Sequence, residues 1–228
     1  MTERVAVYTL IRSKRKTIAL YIREGGVEVR APLKMPKSEI DKFVISKEKW
    51  ITDKLLKSTE RTVLRKNFNL DYGSQISYRG KQYPIKAKEG NRVGFDGERF
   101  YIPSGLTTEQ IKAACVQVYR MLAKRDLTSK TLLYAEQMSV APAAVKINSA
   151  RTRWGSCSAK KTINYSWRLI MADDVVIDYV VVHELAHLSE MNHSTRFWSI
   201  VESVLPDYCE RKKKLRDLQY RLNAEDWD

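Results

Sequence analysis

All three histidines of this 228-residue chain fall within HELAHLSEMNH, at His183, His187 and His193. Imidazole is the commonest protein ligand for transition metals, and residues four apart lie on one helix face, about a turn apart. On a helix, His183 and His187 can therefore offer two nitrogens to one ion, with Glu184 placed to act as general base toward a water on that ion. His193 comes six residues after His187, too far to share that face if the helix runs straight on. Ser189-Glu190-Met191-Asn192 must turn the chain. Asn tolerates the left-handed conformation that ends many helices, so a cap near Asn192 would swing His193 back to the ion. Three neutral imidazoles plus one water make an open, catalytic type of site rather than a closed structural one. One zinc ion suits such a donor set, and another divalent transition metal would also fit. Glu202 is the alternative third ligand, with solvation or support of the next helix as its ordinary role. The plain alternative for the whole motif is a chance match on a helix surface.

The segment ahead of His183, VVIDYVVVH, is rich in β-branched residues and reads equally as a buried strand. Each Val costs about half a kcal/mol against Ala in a helix, whereas burying one returns about 1.5 to 3 kcal/mol. A helix apolar nearly all round is a central, buried one, and Asp173 or Asp174 would cap its start. Ser194 opens a further helix, and Pro206 a last one rich in Arg and Lys. Upstream, Thr107 or Thr108 caps a long helix that runs to Met138 and is stopped by Pro142. Val145–Asn148, Thr152–Ser156 and Thr162–Trp167 read as strands.

Residues 4 to 30 carry alternating apolar runs (Val5, Val7, Tyr8; Ile18, Leu20, Ile22; Val27, Val29) broken at Ser13-Lys14 and Gly25-Gly26, which predicts a three-stranded meander. From Pro36 to Lys57 the spacing of Ile40, Phe43, Val44, Trp50, Ile51 and Leu55 suits one or two amphipathic helices packed on it. Short extended pieces around Gln75–Tyr78, Gln82–Ala87, Asn91–Phe95 and Arg99–Ile102, punctuated by glycines, read as hairpins. The expected class is α+β: a β-rich N-terminal lobe with one helical segment, residues 1–105, and an α+β domain, residues 106–228, that holds every histidine.

The stretch ARTRWGSCSAKKTINYSWRLIMADDVVIDYVVVHELAHLSEMNHSTRFWSIVESVLPDY resembles the core of the YgjP-like predicted metal-dependent hydrolases. Their pattern joins RxRWGSC, an Asn followed by a Leu, IDYVVVHELAH, NHS, and FW before PDY. The resemblance is specific from Arg151 to Tyr208 and looser through IRSKRKTIALYI and FVISKEKWI, so it covers nearly the whole chain. One departure is Ala172-Asp173-Asp174, where the family usually carries a Pro before the metal helix; it alters the helix entry and leaves the chemistry. The resemblance implies a zincin-like, minimal gluzincin-type domain, with zinc held by His183, His187 and His193 and Glu184 as base. SprT-like and Wss-type proteases, which cut proteins trapped on DNA, are similar in the same helix. Members of the family carry both metallopeptidase and UTP pyrophosphatase labels, so the resemblance leaves the substrate open.

Arg151, Arg153, Trp154 and Ser156 precede the metal helix. In zincins a strand edge beside the metal binds substrate through the main chain, and a guanidinium there could hold a carbonyl oxyanion or a phosphate oxygen. Their structural reading is packing for Trp154 and a bulge at Gly155. Asn164 could orient the metal helix from behind or simply end a strand. Phe197 and Trp198 read as core, and the run Arg211-Lys212-Lys213-Lys214 with Arg216 as a solvated helix face or a phosphate-binding surface.

With 43% hydrophobic and 30% charged residues, the composition is that of a soluble globular protein. No segment reaches the roughly 18 uninterrupted apolar residues a spanning helix needs, so no membrane partner is expected. The first residues lack the form of a signal peptide, which predicts a cytoplasmic protein. Cys115, Cys157 and Cys209, odd in number and far apart, read as reduced thiols rather than disulfides; Cys157 alone has a nucleophile reading, against a buried thiol. A net charge of +14 attracts polyanions. Three functions follow: a zinc metallopeptidase acting on a peptide or protein; a metal-dependent nucleoside triphosphate pyrophosphatase with the arginines clamping phosphate; and a nucleic-acid-associated protein with a basic docking surface.

Overall fold

A computed structural model describes residues 7–23 and 25–227; Val5, part of the expected first strand, lies outside them. Among the described residues the chain is mixed α and β, with six α-helices and three small sheets. It divides into two compact units, one running to Phe68 and including residues 223–226, the other holding residues 69–222 and Trp227.

In the first unit, β1 (Tyr8–Ser13), β2 (Ala19–Arg23) and β3 (Gly26–Pro32) form a sheet in the order β1-β3-β2. The expected meander is corrected here: β2 and β3 make a hairpin, but β1 pairs parallel to β3. Alternation in a sequence fixes which side chains face inward and leaves the pairing partner open. The strand with the most completely buried inner face, Val27, Val29 and Ala31, takes the centre. Helix α1 (Lys37–Ser46) follows Pro36 at its cap, and α2 (Glu48–Lys66) outruns the expected helical segment by nine residues. Ile40, Val44 and Ile51 close the core over that sheet.

The second unit begins well before the boundary expected at 105. Strands β4 (Gln75–Tyr78), β5 (Lys81–Lys88), β6 (Gly94–Phe95) and β7 (Phe100–Pro103) form a sheet in the order β4-β5-β7-β6, in which β5 and β7 run parallel. That sheet shares its core with the long helix α3 (Thr108–Gln137). Phe100 meets Tyr119 at 5.3 Å between ring centroids, and the Tyr119 hydroxyl donates to the Ser77 carbonyl. Burial against α3 thus draws the glycine-punctuated hairpins into the C-terminal unit. Of the two threonines expected at the start of α3, Thr107 is the cap, its side chain accepting from the Gln110 N–H while the Gln110 side chain accepts from the Thr107 N–H.

Next come β8 (Ala144–Asn148), β9 (Gly155–Cys157) and β10 (Thr162–Ser166), in the order β8-β10-β9, so β9 lies at an edge. Residues 152–154, expected in that strand, precede it without regular structure. A short 3₁₀ segment (Trp167–Met171) leads to α4 (Asp174–Ala186), then α5 (Thr195–Val204) and α6 (Tyr208–Leu222).

Candidate metal centre

Helix α4 is buried on nearly every side, through Val176, Ile177, Tyr179, Val180, Val181, Val182, Leu185 and Ala186. Core burial therefore overrides the β propensity of its valines. Its start is held electrostatically: Arg79 donates two hydrogen bonds to Asp174, and Lys130 pairs with Asp174 and Asp178. Asp173 stands at the N-cap position, but its side chain makes no capping hydrogen bond.

The helix ends earlier than the sequence suggests. His187, not Asn192, is the C-cap residue, and no residue from 188 to 193 has a positive φ, so the expected left-handed cap at Asn192 is corrected. A tight backbone turn takes its place, in which the N–H groups of Ser189 and Glu190 donate to the Ala186 carbonyl. Ser194 then caps α5 by accepting from the Phe197 N–H.

This turn brings His193 back toward α4. One ring nitrogen from each of His183, His187 and His193 lies within 4.8 Å of the others, and the Nε2 atoms of His183 and His193 are 3.1 Å apart. Two zinc–nitrogen bonds of about 2.0 to 2.1 Å meeting at a tetrahedral angle put their nitrogens roughly 3.3 Å apart, so the His183–His193 pair matches that spacing, and the three rings together are a group that could hold one metal ion. The carbonyl of Glu190 lies 3.1 Å from Nδ1 of His187; with the proton on Nδ1, the Nε2 lone pair is left for a ligand bond. Burial, with the neighbouring imidazoles and Lys212 adding to it, pulls His183 down to about 3, and burial also lowers His187. Both rings are therefore neutral at physiological pH, the state in which imidazole binds metal.

Phe197 touches all three imidazoles, with centroid distances of 4.9, 4.5 and 4.7 Å to His183, His187 and His193. Trp198, half-buried rather than core, stacks on Tyr208 and lies 5.8 Å from His193. These two residues thus support the histidine rings.

Glu184 is 5% exposed and its Oε2 has no hydrogen-bond partner. Burial raises its pKa to about 7, against the opposing charge of Arg153. Gly155 stands beside it: a Cβ there would fall 2.5 Å from Oε1 and 2.6 Å from Cγ of Glu184. The glycine read from sequence as a bulge is thus a close approach of β9 to the carboxylate, and any side chain would displace the acid.

Of the other expected site residues, Trp154 and Gly155 border the same cavity as His183 and Glu184. Ser156 lies on β9 opposite Asn164 of β10. Arg151 and Arg153 are exposed ahead of the strand, and Arg153 acts electrostatically on Glu184. Glu202 is exposed on α5 and outside the histidine cluster. Cys157 is half-buried, with its thiol pushed up by burial and by Glu184, which disfavours a nucleophilic thiolate. Tyr179 and Leu215, which line the cavity beside Glu184, were not legible as site residues. Tyr179 stands four residues before His183, so helical periodicity could have flagged it; Leu215 arrives only through the packing of α6.

Residues 16–218 match the family model described as YgjP-like, metallopeptidase domain, which sets the class as metallopeptidase-like. The chain belongs to the YgjP-like family. A comparison with curated proteins returned no match. Among solved structures, the chain is similar to the metallopeptidase zymogen abylysin of Pyrococcus abyssi, at 22% identity and TM-score 0.38, covering 43% of this chain and 97% of that one. It is also similar to the metallopeptidase zymogen jannalysin of Methanocaldococcus jannaschii, at 18% identity and TM-score 0.37, covering 40% and 95%. The family description gives no support to a pyrophosphatase or to nucleic-acid binding. No helix among the described residues is long and apolar enough to cross a membrane.

Proposed function

We propose that this chain is a zinc-dependent peptidase whose ligands are His183, His187 and His193 and whose general base is Glu184. The observation that carries the reading is the convergence of three imidazoles beside a buried carboxylate with an unpartnered oxygen. A bound zinc ion would supply Lewis acidity, polarising a carbonyl and making water nucleophilic at neutral pH.

The chain's own residues then have distinct tasks. Glu184, with its pKa near 7, takes a proton from the attacking water and passes it to the leaving amine nitrogen; a base poised near the working pH serves both transfers. Strand β9, which pairs only with β10 among the described residues, offers its outer edge to an extended peptide by main-chain hydrogen bonding. Arg153 adds positive charge for the oxyanion or a substrate carbonyl. The two-lobed division into an N-terminal lobe and a catalytic domain is part of the same proposal.

The test is metal analysis followed by a peptide and protein cleavage screen, wild type against Glu184→Gln and His187→Ala. Wild type is expected to hold one zinc per chain and to cut peptides. His187→Ala should lose the metal, and Glu184→Gln should keep it without cutting. Zinc-loaded wild type that cuts nothing, or a Glu184→Gln variant as active as wild type, defeats the proposal.

A further inference from the structure

A cavity of about 220 Å³ opens beside Glu184. Its apolar walls come from three elements: Tyr179 and Val180 on α4, Trp154 just ahead of β9, and Leu215 on α6. It shares His183 and Glu184 with the metal centre. The α4 contribution follows from helical spacing, because Tyr179 and Val180 stand one turn before His183 and Glu184 on the same face.

Helix α6 is oriented by a second contact. Lys212, three residues before Leu215 and so on the same side of the helix, lies over the Trp198 ring with its ammonium 4.8 Å from the centroid. Trp198 in turn lies near His183 and His193. The helix face carrying Lys212 and Leu215 is thereby turned toward the metal centre, and Leu215 forms a wall of the cavity.

We infer that this cavity receives one apolar side chain of the substrate, on a residue flanking the bond that is cut; the inference rests on the peptidase reading above. A space of this size is ample for one Leu, Met or Phe side chain and too small for a folded segment. An indole, a phenol ring and two branched aliphatic side chains favour apolar burial. An acidic side chain would instead be desolvated next to the Glu184 carboxylate. The substrate class is therefore peptides with a medium or large apolar residue beside the scissile bond, and Leu215 sets the size limit.

The experiment profiles cleavage sites by mass spectrometry, with the whole zinc-loaded 228-residue chain acting on a peptide mixture that carries every residue type at each position. Leu, Met or Phe at one flanking position should exceed Gly or Asp by at least about tenfold, the discrimination that apolar pockets provide. Leu215→Trp, which fills the cavity, should move the preference to Ala or Gly and raise KM for a Leu peptide at least about tenfold, with the zinc content unchanged. Leu215→Ala, which widens it, should move the preference toward Phe and Trp, and keeps the test open should the bulkier variant fail to fold. A flat profile, or one that neither folded variant moves, overturns the pocket and leaves the peptidase standing. If zinc-loaded wild type cuts no peptide, the peptidase reading falls and the pocket falls with it.

Discussion

Asp126 and Glu184 are both buried carboxylates of the second unit, and their surroundings are opposite. Asp126 accepts from the Tyr78 hydroxyl and from Nε of Arg125, and Arg125 also donates to the Tyr78 oxygen. Glu184 has one oxygen without a partner, a glycine in place of a neighbouring side chain, and a pKa raised by burial. A buried polar group is ordinarily satisfied, and an exception calls for a reason. At Asp126 the hydrogen bonds stabilise the packing of the β4 to β7 sheet on α3. At Glu184 burial raises the pKa of a carboxyl whose Oε2 has no partner, and perturbed values of that kind cluster at functional sites.

The comparison breaks most sharply under paired amide substitutions. Glu184→Gln is expected to lower kcat by about 10²- to 10⁴-fold, the usual contribution of a general base, while zinc content stays at one per chain. Asp126→Asn is expected to leave kcat within a few-fold and to destabilise the fold by about 1.5 to 3 kcal/mol, through loss of hydrogen bonds to a charged group. Steady-state kinetics and denaturant unfolding on both variants check this. If the two substitutions gave the same pattern, the distinction between a structural and a catalytic acid would collapse.

A smaller effect sharpens the same contrast through pH, measured on metal-free protein. The Glu184 carboxyl sits near 7 when folded, against an ordinary value of 4.5. Between those values the folded chain holds a proton that the unfolded chain has released. The stabilising contribution is thus complete below about pH 4.5 and is lost as pH rises through 7, a change of about 3 kcal/mol at about 1.4 kcal/mol per pKa unit. Metal-free Glu184→Gln should therefore be more stable than metal-free wild type at pH 8 and lose that advantage by pH 5. Thermal unfolding across this range would show it, and parallel curves for the two proteins would contradict the burial argument.

Legibility in the sequence followed the range of the interactions. Local ones could be read: a threonine cap at the start of α3 and the Ser194 cap of α5 depend on neighbours within four residues, whereas α4 could be read as a helix only by setting core burial against the β propensity of its valines. The return of His193 was legible as a requirement, but its mechanism was not, because backbone bonds to Ala186 close the turn where the sequence pointed to Asn192. The parallel pairing of β1 with β3 and the transfer of the β4 to β7 sheet to the second unit depend on which apolar faces meet, and periodicity does not encode that. Gly155 shows the same limit within the site. Its neighbours in sequence suggest a bulge, and only packing against α4 reveals that the absent Cβ makes room for Glu184.

The smallest effect isolates one hydrogen bond on the structural side of the comparison. Tyr78→Phe removes the hydroxyl that donates to Asp126 and accepts from Arg125, and keeps the ring that packs at 4.9 Å against Phe95. Arg125 Nε still serves Oδ1 of the carboxylate, while Oδ2 loses the partner it has in the Tyr78 hydroxyl. The cost should then be that of one hydrogen bond to a charged group, about 1.5 kcal/mol at the low end of the range because Arg125 keeps its own bond, with kcat and zinc content unchanged. A loss of several kcal/mol would mean that the network acts as a unit, with the tyrosine hydroxyl rather than the arginine holding the acid. Lost activity with intact stability would instead tie Asp126 to the chemistry and undo the contrast with Glu184.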